Sequence, residues 1–462
     1  MKLKPLVIAI AALSVGVANA YTNDASNVYM TGASAIRGNV AAGIKKMCTA
    51  AGGSLTVFKN GAGASALANQ MAYVCTQPLA GTSITKVFHT TTGGSLNSIL
   101  GMSNNVALQQ QPLSGTFAGC DAAATAGTGD LAGYSVKANC ALDAAVSSNG
   151  GFSDVEYGPA VEQVNILTSA TDGFTLADVT PGFTGVAQAF GIAVSEKMYK
   201  DLQTAQGLGA CGVGLGDPTP VCQPSLNRAD VASLINNNLF APAKNGAQAL
   251  GLTANAQIEY ARRPATSGTQ TSAQVYFLGK GCLNGANFGE FDVIGNEIAT
   301  GATKSYGTKF KVSVNSGTGD VKNALIAAGN TSYAFGVVSM ENRAPTTTTS
   351  WKFVKLNGVS ISDGTSSGLN KTNALNGKYD YFVETAVYTT PLKTDTDEQT
   401  VISAIASEMA TPVALGGFNS VGLFEIPENA GGYDNATYPT EVGLYQRGGS
   451  TPNSCQPVSR PQ

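Results

Sequence analysis

Two adjacent arginines followed by a short turn form the part of the chain best suited to binding chemistry. A strand-like run ends in Arg262 and Arg263. Ser267, Gly268 and Thr269 follow and open a predicted helix. The free N–H groups of a helix start, two hydroxyls and a guanidinium supply directional donors and a positive charge. We therefore expect a phosphate-like oxyanion to bind here; the alternative is one solvated and one ion-paired arginine.

Predicted strands and helices alternate along the chain, which is typical of an α/β protein. A strand at 27–31 leads through a turn into a helix at 35–49, and a strand at 86–89 leads into a hydroxyl-rich turn with Thr92 and Ser95. In the simplest interpretation these two hydroxyls only cap a helix. Further strands are predicted at 183–194, 309–314, 333–339 and 351–356, and further helices at 196–207, 227–237, 320–328 and 397–409. Residues 373–390 are predicted to form a helical turn plus a strand.

The first residues have the pattern of an export signal. Lys2 and Lys4 precede an apolar run, and a small-x-small motif ends at Ala20, so we expect cleavage just before Tyr21. The cleavage site lacks the cysteine of a lipid anchor, and no later apolar run has the length of a membrane span. The sequence thus predicts a protein that works in the periplasm or outside the cell.

The composition narrows the classes of partner. Charged residues make up 12% of the chain and the formal net charge is -3. Such a balance gives no broad basic field for nucleic acid or an anionic membrane, so any anion site must be local. The mature length of roughly 440 residues exceeds what one compact core usually holds, which favours two lobes.

The cysteines form an even set, which in an exported chain favours disulfides. They are Cys48, Cys75, Cys120, Cys140, Cys211, Cys222, Cys282 and Cys455. The spacing does not fix the connectivity, and nearest-neighbour pairing with a 282–455 link to the tail is our hypothesis. Zinc is a poor alternative because no Cys-x-x-Cys occurs and His89 is the single histidine. We expect no metal and no cofactor.

The order of several short motifs resembles that of the periplasmic phosphate-binding proteins of ABC importers, which have the type 2 periplasmic binding-protein fold. The resemblance covers most of the mature chain; each motif is weak alone, and their common order is more specific. The segments that resemble the family are Thr31-Gly32-Ala33-Ser34-Ala35, Gly93-Gly94, Ser153-Asp154, Arg262-Arg263 with Ser267-Gly268-Thr269, Ala334-Phe335-Gly336-Val337-Val338-Ser339, and Val354-Lys355-Leu356-Asn357-Gly358-Val359.

The resemblance implies a set of ligand-binding residues. Arg263 would pair with the charge of the ligand, and Asp154 would accept a hydrogen bond from a protonated phosphate oxygen, which rejects fully deprotonated sulfate. Taken alone, Asp154 is equally an ordinary turn or N-cap aspartate. The implied set is Ala35, Ile36, Thr92, Asp154, Arg263, Ser267, Gly268 and Thr269.

Two departures from the family pattern affect the expected ligand. The family has Thr-Phe where this chain has Ile36 and Arg37, and it has an aspartate where this chain has Ala265. The first change removes a hydroxyl, and the second removes a carboxylate that would orient the key guanidinium. The departures therefore predict that phosphate binding is weaker, retuned toward another anion, or gone. Arg37 itself faces solvent in the simplest interpretation.

The resemblance implies a two-lobed α/β protein with a hinge and an interlobe cleft. After a signal peptide at 1–20, we expect lobe one at 21–185, with a cysteine-bearing surface insertion at about 103–150, and at 333–462. Lobe two is expected at 186–332. Such a protein captures phosphate or a related oxyanion and delivers it to an inner-membrane ABC permease.

A different class of function stays open. Low charge, many small polar residues and extra disulfide-bearing loops also fit a secreted or surface-associated structural or adhesive protein that reuses the scaffold. An enzyme is not expected, because His89 has no G-x-S-x-G elbow beside it and no G-x-x-x-x-G-K-[ST] loop occurs. In an apolar strand, His89 is most simply a structural residue.

Overall fold

A large mixed β-sheet organises the computed structural model of the chain. The described residues are 26–102, 108–109, 119–142, 145–156, 176–236, 246–282, 297–342, 347–361, 371–392, 396–411, 422–427, 435–448 and 453–461. The signal peptide predicted at 1–20 lies outside them.

Strands and α-helices alternate through this part of the chain. The strands are β1 (Asn27–Gly32), β2 (Leu55–Lys59), β3 (Gln70–Cys75), β4 (Lys86–Thr90), β5 (Leu108–Gln109), β6 (Thr125–Ala126), β7 (Ser135–Lys137), β8 (Ala145–Val146), β9 (Gly150–Ser153), β10 (Thr180–Val194), β11 (Ser225–Leu226), β12 (Ile258–Arg262), β13 (Thr303–Tyr306), β14 (Phe310–Val314), β15 (Tyr333–Ser339), β16 (Lys352–Phe353), β17 (Lys355–Leu356), β18 (Phe382–Thr389) and β19 (Leu423–Glu425). The helices are α1 (Arg37–Ala50), α2 (Asn97–Leu100), α3 (Glu196–Ala205), α4 (Arg228–Ile235), α5 (Gly246–Ala249), α6 (Gly268–Leu278), α7 (Thr318–Ala328), α8 (Thr372–Leu375) and α9 (Thr396–Met409). The predicted α/β class is confirmed.

The main sheet contains 15 strands, and its principal path runs β13-β14-β12-β15-β10-β18-β9-β1-β4-β3-β2-β7-β6. β1 is parallel to both β4 and β9, so the carboxyl ends of these three strands lie at one edge. Ligands of open α/β sheets bind at such edges. β12 is likewise parallel to β14 and β15.

The two largest of four apolar clusters in the described residues pack against this sheet. The first core contains Val28 and Ile44 and lies between β1, α1 and α9. The second core contains Phe190, Tyr260 and Phe335. Aromatic stacking of Tyr260 on Phe335, with ring centroids 4.8 Å apart, fixes the middle of this second core.

β10 and β18 pass from one core to the other. Val186 and Val387 belong to the first core, and Phe190 and Phe382 to the second. The register between the two strands shifts between Phe183 and Ala187, an irregularity of the kind that a β-bulge produces. This irregularity lies where the strands cross from the first core to the second.

The region expected to be a surface insertion contributes to the sheet instead. β7 pairs in parallel with β2, and β6 pairs with β7 at the end of the path. Leu131, Tyr134 and Val136 are buried in the first core. These apolar residues explain the difference, because a chain that carries them gains by covering the sheet edge.

The cysteines pair as hypothesised. The disulfides join Cys48 to Cys75, Cys120 to Cys140, Cys211 to Cys222, and Cys282 to Cys455. The last one ties the tail to the segment that follows α6 across 173 residues of sequence. Within the described part of the chain, no helix has the length and apolarity to cross a membrane.

Candidate functional site

The start of α6 is buried beside the end of β12. Ser267 occupies the N-cap position with extended backbone, and its side chain makes no capping hydrogen bond. The first intrahelical bond here is donated by the Thr271 N–H to the Ser267 carbonyl, at 2.9 Å. The N–H groups of Gly268 and Thr269 precede that bond, as in any helix start, and point out of the helix. A buried helix N-terminus is thereby available to an anion.

A second turn, at residues 91–96, packs directly against this helix start. The Thr266 hydroxyl donates to the Gly93 carbonyl at 2.8 Å, and the Leu96 N–H donates to the Thr266 carbonyl at 3.1 Å. A Cβ on Gly94 would lie 2.9 Å from Ser267 Cα. Glycine is therefore required for these two loops to meet.

Asp154, the residue after β9, meets both loops. The Ser95 hydroxyl donates to Asp154 Oδ2 at 2.9 Å. A Cβ on Gly268 would lie 2.3 Å from Ser95 Oγ and 2.9 Å from Asp154 Cβ. Asp154 is buried, and its Oδ1 has no hydrogen-bond partner among the described residues. One carboxylate oxygen is thus held in place and the other is free to contact a ligand.

Burial raises the pKa of Asp154 to about 7, against the lowering effect of the Ser95 hydrogen bond. The nearby Glu341 also raises this pKa, and Arg263 lowers it. Asp154 consequently changes between a hydrogen-bond acceptor and a donor near neutral pH.

Arg263 is buried and interacts electrostatically with Asp154. Its Nη1 donates to Thr318 Oγ1 at 2.9 Å, at the start of α7, and its Nε has no partner among the described residues. Burial lowers the pKa of Arg263 to about 10, while Asp154, Asp320 and Glu341 oppose that shift. The guanidinium therefore keeps its charge at neutral pH. Arg262 is buried too, so neither arginine is a solvated surface residue.

The remaining predicted residues lie in different surroundings. Thr92 is exposed, and its hydroxyl accepts a hydrogen bond from Gln70 Nε2 at 2.6 Å. Ala35 and Ile36 are buried in the turn that precedes α1. Ser95, interpreted from the sequence as a cap, is the hydroxyl of this turn that contacts Asp154. The sequence signal for both hydroxyls is the same, and only the tertiary contact distinguishes them.

A cavity of about 220 Å³ is lined by Ala35 of the predicted set and by side chains of both charge signs. Arg37 lines it, half-buried, and also donates to Asn69 Oδ1 at 3.1 Å, so it does not simply face solvent. Glu341 Oε2 has no partner in the described part of the chain. The other lining residues are Ser34, Ala35, Gly38, Asp130, Lys322 and Asn342.

No protein-family model matches this chain, and no curated protein matches it. Solved structures resemble it at low sequence identity. A putative phosphate ABC transporter substrate-binding protein with bound phosphate from Clostridium perfringens is 10% identical, with a TM-score of 0.43, and the match covers 87% of this chain and all (100%) of that one. An ABC-type phosphate transport receptor from Vibrio cholerae is 12% identical, with a TM-score of 0.31, over 57% of this chain and 76% of that one.

PstS from Borrelia burgdorferi is 10% identical, with a TM-score of 0.34, over 87% of this chain and 99% of that one. These similarities are too low to carry an argument about the ligand, which must come from the residues of the site. In fold the chain is similar to these three structures.

Proposed function

We propose that this protein binds phosphate or a related tetrahedral oxyanion between the α6 start and the turn at residues 91–96. One observation carries the proposal: Arg263 and Asp154 are buried in one electrostatically coupled cluster, and each has a polar atom without a partner among the described residues. Leaving such atoms unpaired costs free energy. An oxyanion with an attached proton would satisfy both.

The proposed contacts have three roles: they neutralise the charge of the anion, they orient it, and they select it against other anions. Arg263 supplies the charge and its free Nε–H, and the N–H groups of Gly268 and Thr269 supply directional donors at a helix N-terminus. Asp154 Oδ1 selects, because an ionised carboxylate accepts a hydrogen bond from hydrogen phosphate but faces only acceptor oxygens on sulfate. Ser267 and Ser95 complete the polar lining.

Because the two loops are in direct contact, the structure corresponds to a closed site. The loops must separate before a ligand can enter. The register irregularity between β10 and β18 is the proposed hinge. There the Thr184 hydroxyl donates to the Thr385 carbonyl at 3.0 Å, and Gly185 has a positive φ of 75°. Hinges absorb backbone changes at a few such irregular positions.

The lobes of the proposed receptor follow the two apolar cores. Residues 21–185 form lobe one, as expected from the sequence, together with about 386–411. Further along the chain, Phe424 and Ile426 pack in the second core and Cys455 is bonded to Cys282, so these parts belong with lobe two. Trp351 and Phe353 pack in the second core, which supports extending lobe two beyond residue 332 to about 383. Export to the periplasm and delivery to an inner-membrane ABC permease complete the proposal.

Calorimetric titration of the phosphate-stripped mature protein tests this function, with sulfate and arsenate as comparators. Micromolar or tighter phosphate binding, with arsenate accepted and sulfate rejected, is the expected result. Heats equal to those of dilution for every oxyanion would contradict it and favour the secreted structural or adhesive role.

A further inference from the structure

His89 on β4 is buried, and its imidazole ring makes no hydrogen bond to the described residues. Its exposed fraction is 1%, and both ring nitrogens lack a hydrogen-bond partner in the described part of the chain. A neutral imidazole carries one donor and one acceptor, and leaving both unpaired in a core is costly. Such a residue calls for a partner that hydrogen bonding within the described chain does not provide.

Two methionines flank His89 in register. Met30 on β1 lies directly opposite His89 on one side, and Met71 on β3 lies directly opposite it on the other. Opposite residues of neighbouring strands project from the same face of the sheet. In an antiparallel pair such as β3 and β4 their Cβ atoms are about 4.5–5.5 Å apart. Three buried side chains therefore form a row of thioether, imidazole and thioether.

This row faces the first core. Met30, Met71 and Val87 all belong to that core, and Val87 is two residues before His89 on the same strand. Because side chains alternate along a strand, His89 points to the same side. The row consequently lies in the apolar interior and not at the oxyanion site.

We propose that Met30, His89 and Met71 form a buried binding site for a soft monovalent metal ion, Cu(I). Thioether sulfur and imidazole nitrogen are ligands that select Cu(I) over hard cations, whose preferred ligands are oxygen atoms. The described residues contain no cluster of three His, Cys, Asp or Glu side chains that could hold a metal. A site of two thioethers and one imidazole is of a different kind from such clusters.

The charge balance favours a monovalent ion. Thioether sulfur carries no charge, and an imidazole binds a metal ion in its neutral form. All three ligands are neutral, and a divalent ion would leave two charges uncompensated in an apolar core close to the Arg37 cation. Cu(I) leaves only one.

The geometry of one ligand is already restrained. The Tyr73 hydroxyl donates to Met71 Sδ at 3.7 Å, which orients the sulfur and occupies one of its two lone pairs. The second lone pair remains for a metal. Because the row is buried in the first core, we expect loading during folding or through local opening of α1.

Competition with the chromophoric chelator bicinchoninate measures the affinity of the proposed site for Cu(I). The mature protein, with its disulfides intact, is titrated anaerobically against the Cu(I)–bicinchoninate complex, both as folded protein and after refolding with Cu(I) present. A thiol assay must show no free cysteine, because reduction of Cys48–Cys75 would create thiolates that also bind copper. We expect one equivalent of Cu(I) to transfer to the protein by at least one of these two routes.

Met30→Leu and Met71→Leu are the informative variants, since leucine keeps the volume and removes the sulfur. Loss of an outer partner of a metal site costs about 10–100-fold in affinity, so loss of a ligand should cost at least as much. Met198→Leu, a buried methionine of the second core, is the matched control and should bind as the wild type does. Cu(I) should also raise the melting temperature of wild type and control, but not of the double variant.

Two results would overturn the proposal of a Cu(I) site. One is failure of the wild-type protein to withdraw Cu(I) by either route. The other is undiminished binding by the folded Met30→Leu/Met71→Leu variant. X-ray absorption of the loaded protein gives a further check, since two sulfur neighbours are expected.

Discussion

Ser95 donates its hydroxyl hydrogen to Oδ2 of Asp154 at 2.9 Å and so orients a carboxylate 59 residues further along the chain. The bond leaves Oδ1 free of partners among the described residues. A carboxylate held in this way presents one defined lone-pair direction to a ligand. The protonation state of Asp154 then decides which anions are acceptable.

The selectivity between phosphate and sulfate should depend on pH through Asp154. Its folded pKa of about 7 means that lowering the pH protonates the carboxyl, which then donates a hydrogen bond and tolerates sulfate. Raising the pH restores the carboxylate, which requires a proton on the ligand. We expect the ratio of phosphate to sulfate affinity to rise between about pH 6 and 8, as measured by calorimetry.

Asp154→Asn is the matched variant, because its amide offers a donor at every pH. Sulfate affinity should increase and the pH dependence of the ratio should flatten. A variant that keeps the wild-type profile would mean that Asp154 does not contact the ligand.

Replacing Arg263 should weaken anion binding strongly, whereas replacing a surface arginine should leave the affinity for the anion unchanged. Truncating one partner of a buried charge pair costs about 2–5 kcal/mol, so Arg263→Ala should weaken phosphate binding by roughly 30-fold or more. Arg263→Lys keeps the charge but loses the planar fork and should give an intermediate affinity. Exposed Arg460→Ala is the control, and circular dichroism checks folding. An unchanged dissociation constant for folded Arg263→Ala would rule out the proposed clamp.

Gly268→Ala should prevent the two loops from closing. The added methyl would lie 2.3 Å from Ser95 Oγ, so either the Ser95–Asp154 hydrogen bond or the loop contact must give way. We expect at least about a tenfold loss of phosphate affinity, equivalent to about 1.4 kcal/mol. Gly319→Ala is the control, because a Cβ there meets nothing within 4 Å. Equal affinities of the two variants would show that close packing at Gly268 is not needed.

Glu425 should make the fold less stable as the pH rises. It is 1% exposed, its Oε2 has no partner among the described residues, and burial raises its pKa to about 8 from 4.5. A raised pKa means that the folded state holds the proton more tightly, so its contribution is full below the unfolded pKa and is lost as the pH rises through about 8. Denaturant titrations of Glu425→Gln should therefore give about 1–3 kcal/mol more stability than wild type near pH 9 and little difference near pH 5.

Glu297→Gln provides a control of opposite sign. Burial opposes the shift, but hydrogen bonds from Lys304 and Tyr306 lower the pKa of Glu297 to about 2. Its loss should destabilise the protein at neutral pH, with a difference that shrinks as the pH falls toward 2. If Glu425→Gln followed this same pattern, the burial argument for Glu425 would fail.

The parts of the fold that could be predicted from the sequence are those that depend on local residue patterns. The alternation of apolar residues and the small residues at helix starts placed β10 and α9 within a few residues of their observed bounds. The turn at Ser267 could be predicted because all of its hydrogen-bonding and charged groups lie in one short segment of sequence. Contacts between distant segments are different, since nothing near Ser95 in sequence distinguishes it from Thr92.

The strand pairing of the cysteine-bearing region shows the same limit. β7 is three residues long, and its partner β2 lies far away in sequence, so the gain that orders it comes from tertiary burial of Val136 and not from local propensity. The clustering of Arg37, Lys322 and Glu341 around one cavity is equally non-local. Spacing along the chain carries no information about such groups.

The two strands shared by both cores have a thermodynamic consequence. A lobe that unfolded alone would remove hydrogen bonds from β10 and β18 and expose apolar residues of the other core, because Val186 and Phe190 lie on one continuous strand. Such a cost couples the two halves into a single cooperative transition, in contrast to domains joined by a linker. A calorimetric scan of the protein should accordingly give one heat-absorption peak, with equal calorimetric and van't Hoff enthalpies.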